Sequence, residues 1–426
     1  MNRMHKEKKV PAIRFEGFSG EWEEMVFSEI ASRETSGSAI SGLPRVEFED
    51  IISGKGELNK DIWTKESSKK GIKFNKFDVL FGKLRPYLKN WLFPKFEGIA
   101  VGDFWVLRAK RSDSKFVYYL IHTFSFYQVA NLSSGSKMPR SDWGLVSQTD
   151  FNIPVNITEQ TKIGNYFQQL DTLIAQHQKK HDKLLNLKKS LLEKLFPKKN
   201  DELGMLNAES VTKDNSSLST HHSSFNLPEI RFKGFSGEWE EKALGDDAEF
   251  SKGQGYSKSD LVAEGNPIVL YGRLYTQYQT VINEVDTFAI VNNKSIFSRG
   301  NEVVVPASGE TAEDISRASA VLQSGVLLGG DLNIIYPSKN IDSIFLALTL
   351  SNGKPQKDLS KRAQGKSVVH LRNNDLIEVE ISYPDIKEQT KIGSLFKQLD
   401  TLITQHQAQL KKINNIKQAC LEKMFV

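Results

Sequence analysis

Four stretches of this 426-residue chain mix cations, aromatics and amides at spacings suited to reading a nucleic-acid groove. Residues 82–90 hold Lys83, Arg85, Tyr87, Lys89 and Asn90, and strand alternation places Lys83, Arg85 and Tyr87 on one face. Residues 133–140 add Lys137 and Arg140 in a Gly/Ser-rich loop. In the second half, residues 271–279 offer Tyr271, Arg273, Tyr275, Gln277 and Gln279, and residues 361–367 offer a cationic loop with Lys366 and Ser367. Arg and Lys bond guanine edges, Gln and Asn bond adenine edges, and hydroxyls or backbone N–H groups serve phosphates. Any one of these residues reads more readily as part of a solvated loop. Taken together, on matching positions in two halves, they point to DNA.

Other chemistry finds no foothold. Gln364-Gly365-Lys366-Ser367 is shaped like the end of a phosphate-binding loop, but the glycine needed five residues before Gly365 is Ser360, and no apolar strand leads into it. His177 and His181 stand four apart on a helical pattern, a spacing able to grip a metal. No glutamate occupies the metalloprotease position, Leu410 replaces His181 in the second copy, and no third ligand is evident. A polar pair fixing helix register, with His177 and His406 at equivalent positions, is the better reading. The single cysteine, Cys420, excludes an intramolecular disulfide framework and multi-cysteine metal sites. No dinucleotide fingerprint, nucleophile elbow or repeated acid–base pair is present. The expectation is a chain with no cofactor and no metal of its own.

Composition agrees with that expectation without proving it. The chain is 39% hydrophobic and 26% charged, with 57 basic against 52 acidic residues, a net charge of +5, and a pI near 8.9. The longest apolar run, 344–350, is far too short to cross a bilayer, and residues 1–10 are basic and polar. These features predict a soluble cytoplasmic protein with no membrane partner.

What must position the four clusters is a repeat. Residues 13–24 recur as residues 230–241 with eleven of twelve positions identical, and residues 159–196 recur as residues 388–425 with 23 of 38 identical and no gap. Between these blocks the halves share little, so a constant frame carries two different inserts, about 27–156 and 244–382. A duplicated enzyme would repeat its chemistry; here the inserts are what differs. Their short apolar runs, punctuated by Gly, Pro, Asn and Ser, predict many strands. Faint correspondences pair 44–51 with 267–274, 78–83 with 302–309, 102–107 with 330–335 and 134–138 with 364–368.

The second repeated block reads as a long helix in each copy. Heptad position a carries Ile163, Leu170, His177, Leu184 and Leu191, matched by Ile392, Leu399, His406, Ile413 and Cys420. Position d carries Tyr166, Leu173, Lys180, Leu187 and Lys194, then Leu395, Leu402 and Ile416, with Phe167, Ile174 and Leu195 flanking at e. About 36 residues at 1.5 Å each give a rod on the order of 50 Å, longer than one insert needs, so the two copies are expected to pair. Fold class is therefore α+β: two globular recognition domains in direct repeat, separated by two long helices forming an antiparallel coiled coil. The boundaries are 1–158 and 227–387 for the domains, 159–199 and 388–426 for the helices, and 200–226 for a flexible polar linker.

The frame carries a resemblance. The Pro154/Glu159-Gln160/Ile163 and Pro384/Glu388-Gln389/Ile392 elements, each continuing as Glu-Gln-Thr-Lys-Ile-Gly into a helix, and the Ile-Arg-Phe-x-Gly-Phe-x-Gly-Glu-Trp block before each insert, resemble the specificity subunit of type I restriction–modification systems. The likeness runs from Pro11 to Phe425. It implies that each insert is a target recognition domain reading one half of a split, asymmetric double-stranded DNA sequence, with the helices as a ruler for the unread spacer. It implies partners: two modification (methyltransferase) subunits using S-adenosylmethionine, and restriction subunits using ATP and Mg, with none of those activities in this chain. The expected readers are Lys83, Arg85, Tyr87, Lys89, Lys137 and Arg140 for one half-site, and Tyr271, Arg273, Tyr275, Gln277, Lys366 and Ser367 for the other. The residues leave two rival readings open: a non-catalytic protein-interaction scaffold, and a self-contained DNA-modifying enzyme.

Overall fold

The computed structural model describes residues 9–38, 40–64, 69–132, 138–197, 226–365 and 368–426. Most of the linker, with Lys137, Lys366 and Ser367, lies outside the described residues. Two long helices dominate: α1, Ile157–Leu195, and α2, Ile386–Lys423. Contacts sort the chain into two units, Met1–Gln178 with Ala408–Val426, and Lys179–Gln407. Each unit therefore holds one insert, one part of α1 and one part of α2.

In the first unit an antiparallel four-stranded sheet runs in the order 31–34, 104–109, 79–82, 91–92. A smaller four-stranded sheet runs 37–38, 71–74, 98–100, 45–46. The strand Val79–Gly82 is buried throughout, which suits its Val-Leu-Phe sequence to a covered position. Strands Glu23–Val26 and Asp150–Ile153 pair antiparallel and bring the two ends of the insert together. Above the main sheet, Phe27, Phe81, Trp105, Phe126 and Phe151 form an aromatic core continuous with Ile163, Phe167 and Leu170 of α1.

The second unit repeats the plan with one extra strand. Its main sheet runs 248–252, 332–337, 302–306, 319–321, 281–282, with only the last pair parallel. Glu240–Ala243 pairs with Glu380–Tyr383 as the frame ribbon. The smaller sheet runs 261–262, 288–289, 266–269, 327–328 and is wired differently from its counterpart, since the inner strand 266–269 takes the pairing that 98–100 has in the first unit. The frame is thus repeated closely, whereas the smaller sheet of each insert has diverged in pairing as well as in sequence.

The repeated motifs prove to be the joinery of that frame. Arg14 donates from Nε and Nη2 to both carboxylate oxygens of Glu159 at 2.7 and 2.8 Å, and Arg231 does the same to Glu388 at 2.8 and 2.7 Å. Gln160 donates to the Pro154 carbonyl and accepts from the Asp113 backbone N–H; Gln389 does so with Pro384 and Asp342. Asp113 and Asp342 in turn cap the helices Ser114–Leu120 and Ser343–Leu350. Gly164 is required by close approach, because a Cβ there would stand 2.7 Å from Cβ of Lys115. Ile163 and Gly164 begin the buried stripe of α1.

Within each unit the two long helices run antiparallel, and each frame segment grips the end of the other copy's helix. In the first unit the Ile13 N–H donates to the Lys423 carbonyl at 2.9 Å, Trp22 packs edge-on against Phe425, and Lys417 pairs with Asp171. In the second unit Ile230 donates to Lys194 at 3.0 Å, Trp239 packs edge-on against Phe196, and Lys188 pairs with Asp400. Every one of these contacts is the repeat-related copy of its counterpart.

The helix seam corrects the expected heptad phase. Position a is inward as read: Ile163, Leu170, Ile392 and Leu399 are buried, Ile413 and Cys420 nearly so, and His177, Leu184, Leu191 and His406 are half-buried. Position e joins it along the whole length, while at position d only the first residues, Tyr166 and Leu395, pack against the domain cores. Phe167, Ile174, Lys188 and Leu195, with Phe396, Ile403, Lys417 and Met424, face inward, whereas Leu173, Leu187, Leu402 and Ile416 at position d are 37–44% exposed.

Candidate nucleic-acid interface

In the first unit the chain leaves the buried strand Val79–Gly82 and immediately meets residues 138–141. The Lys83 N–H donates to the Asp103 carbonyl, the Ser141 N–H to the Lys83 carbonyl, and the Arg85 N–H to the Pro139 carbonyl, all at 2.8–2.9 Å. Leu84 and Arg140 form the bridge between the two segments. The structure thereby brings Lys83, Arg85, Tyr87, Lys89 and Arg140 onto one edge.

Asp103 is the carboxylate on that edge, 3.5 Å from Lys83 Nζ and 3.2 Å from Arg140 Nη2. Arg85 is exposed, adopts left-handed backbone at φ 48°, and makes no ion pair among the described residues. A single 3-10 turn, Pro86–Leu88, follows it and holds Tyr87 47% exposed; Lys89, also left-handed at φ 57°, lies over the Tyr127 ring at 5.7 Å. The base of the loop is buried and packed. Asn90 is buried and accepts from the Ser53 hydroxyl, and Trp91 stacks on His122 at 4.0 Å. Burial, reinforced by Lys417 and Lys89, holds the His122 pKa well below the usual histidine value. Beside it, Tyr119 donates its hydroxyl to Asp171 of α1. Asp103, Tyr127 and His122 were not picked out in the sequence, where none carries a motif.

The second unit has the same construction. The Ala307 N–H donates to Asp331 and the Leu371 N–H to Ala307, at 2.7 and 3.0 Å, so Ala307 stands where Lys83 does. Ser308–Gly309 then pairs with Val369–His370, and Gln364 bridges back to His370. Tyr275 donates to the Ser308 carbonyl, which ties the helix Arg273–Thr276 to this ribbon; burial raises the Tyr275 pKa. Tyr271 and Gln277 are exposed beside it.

Arg273 departs from the expectation of a free reader. Its side chain is 12% exposed and donates to Asp286 at 2.6 Å, to the Glu284 carbonyl at 2.7 Å and to Gln279 at 3.4 Å. Its hydrogen bond holds the Asp286 carboxyl below its ordinary value. Arg273 fastens the 277–286 loop; it does not reach outward. The exposed groups that follow the ribbon are instead Glu310, Thr311 and Glu313, which a search for cations passes over.

Among the described residues no group of three His, Cys, Asp or Glu side chains could hold a metal, and no helix is long and apolar enough to cross a membrane. A recess of about 430 Å³ in the second unit is walled by Tyr278, Gln279, Asn283, Glu284, and the Lys188–Asp400 ion pair.

Residues 236–415 match the family model of the type I restriction modification DNA specificity domain. Among solved structures, the type I restriction–modification S subunit from M. genitalium is similar over 98% of this chain and 99% of its own, at 15% identity and a TM-score of 0.64, which shows a shared fold. The HsdS subunit from Thermoanaerobacter tengcongensis aligns over 94% and 95% at 18% identity and a TM-score of 0.41. A chain from a structural study of type I restriction–modification complex assembly and conformational transition aligns over 94% and 96% at 17% identity and 0.47. No curated protein matches the chain.

Proposed function

We propose, from the match of residues 236–415 to the type I restriction modification DNA specificity domain, that the chain is a non-catalytic specificity subunit whose two inserts each read one half of a two-part DNA target. The observation that carries this reading is the repeat itself. One frame, with the same Arg–Glu, Gln–Pro and Lys–Asp joints, presents two unlike edges at the same place on each unit. Selection that keeps a mount and varies what it holds is selection for two different readings.

On the first edge, Arg85, Tyr87, Lys89 and Arg140 are the readers and phosphate contacts, joined by Lys83. On the second, Tyr271, Tyr275 and Gln277 act, while Arg273 positions the loop behind them; Lys137, Lys366 and Ser367, outside the described residues, are candidates on their residue types alone. Modification subunits dock on the paired helices, and restriction subunits join that core; S-adenosylmethionine, ATP and Mg belong to those partners. The helix length sets the spacer between the two half-sites.

The test is co-expression with the methyltransferase subunit in a host lacking other adenine methylation, followed by mapping of modified adenines. Modification confined to one two-part motif is expected, with binding of that duplex falling steeply with salt as phosphate contacts require. Methylation without a two-part motif, or binding that ignores salt, defeats the reading.

A further inference from the structure

The two edges occupy the same place and carry opposite chemistry. Where the first unit has Lys83, Leu84 and Arg85, the hydrogen-bond register of the second puts Ala307, Ser308 and Gly309. The first edge continues to Tyr87 and Lys89; the second continues to Glu310, Thr311, Glu313 and Asp314. Glu310 and Glu313 are exposed, and Asp314 is held by Thr311 and by Arg317 at 3.1 Å.

The asymmetry extends through the inserts. Residues 27–156 carry 19 Lys and Arg against 14 Asp and Glu, whereas residues 244–382 carry 13 against 17. Several second-unit cations are neutralised internally: Arg273 by Asp286, Arg317 by Asp314, Arg362 by Glu378 and Lys354 by Glu380. On the first edge, Lys83 and Arg140 share Asp103, while Arg85 has no carboxylate among the described residues.

Resting on the specificity-subunit reading above, we propose that the two units divide the work. The first edge, led by Arg85 and Lys89, reads guanine acceptors and carries most of the phosphate contacts. The second edge, led by Glu310 and Glu313, reads base amino groups and contributes little to salt-dependent affinity. An ionised carboxylate can only accept hydrogen bonds. In the major groove the donors that can satisfy it are the N4 amino group of cytosine and the N6 amino group of adenine, and a phosphate would be repelled. Arg and Lys offer donors alone, which match guanine O6 and N7 and the phosphate oxygens.

The experiment uses the chain assembled with its methyltransferase subunit on the mapped target. Binding is measured from about 50 to 200 mM salt, the range over which phosphate contacts show most clearly, on duplexes substituted one base pair at a time. Arg85→Gln and Lys89→Gln should each lower the salt slope by about one. Glu310→Gln and Glu313→Gln should leave the slope unchanged and lower or redirect discrimination at one position of the second half-site by about ten-fold. All four positions are exposed, so an unaltered melting temperature accompanies these effects. The proposal is overturned if the Arg85 and Lys89 variants keep the wild-type slope, or if both Glu variants keep the wild-type base preference throughout the second half-site. If instead the wild-type assembly has no two-part target, it is the specificity reading that fails.

Discussion

Arg14 and Glu159 lie 145 positions apart, yet the structure joins them through two hydrogen bonds with Glu159 almost fully buried. Removing the cation would leave that carboxylate unpaired inside the protein. Arg14→Met should destabilise the chain by about 3 kcal/mol or more in denaturant unfolding, and Arg14→Met with Glu159→Gln should recover part of the loss. Arg231→Met should behave alike through Glu388; a cost below about 1 kcal/mol, the range of an exposed ion pair, would show that the joint is not buried in solution. A second residue-scale prediction concerns acid. The Tyr383 hydroxyl, then Asn340 and Ser338, donate to Asp247 and with nearby Lys242 hold its carboxyl below the usual value against the opposing effect of burial. A carboxyl depressed in the folded state stabilises fully above its unfolded pKa of about 3.9 and loses that contribution as pH falls through the lower folded value. Asp247→Asn should therefore flatten the acid limb of a stability-versus-pH curve below about pH 4, and an unchanged limb would count against the arrangement. The sequence showed the Glu159-Gln160 motif plainly but not its partners, because composition and spacing carry no information about which side chain returns from another part of the chain.

At the scale of elements, the heptad period is legible in the sequence and the phase is not. Leucine or isoleucine stands at both d and e in α1, so either row could complete a seam with position a; only packing decides. The inserts favour e, because Phe167 and Phe396 reach from that row into the two domain cores. Phe167→Ala should cost about 3–5 kcal/mol, as a buried aromatic does. Leu173→Gln, Leu187→Gln, Leu402→Gln and Ile416→Gln should each change stability by no more than about 0.5 kcal/mol, as exposed substitutions do. If the helices recruit the modification subunit, the combined four-site variant should keep its melting temperature and lose retention of that subunit in co-purification. Full retention would place the docking surface elsewhere. The reading edges show the same limit in another form. Lys83, Arg85 and Tyr87 were visible because cations and aromatics in a Gly/Pro-flanked loop stand out. Glu310 was not, because its place is defined by a hydrogen-bond register shared with the first unit and by nothing in its own neighbourhood.

At the scale of the molecule, the antiparallel pairing read from the repeat is completed by an exchange of ends: residues 13–22 hold residues 423–425, and residues 230–239 hold residues 194–196. Chain order could not reveal this, since the two copies of the block are nearly interchangeable and either could fill either socket. The exchange makes helix length a shared property of both halves. Inserting one heptad into both α1 and α2, at repeat-related exposed positions, preserves the seam phase and every end contact while adding about 10 Å to each helix. At about 3.4 Å per base pair the recognised spacer should lengthen by about three base pairs, with both half-sites unchanged. A heptad in α1 alone would leave the sockets mismatched, and it should cost assembly without yielding a new spacer. The modified-adenine map distinguishes these results directly. Unaltered spacing in the doubly extended protein would mean that something other than the helices sets the distance between half-sites, and altered half-sites would mean that the insertion disturbed the reading edges themselves.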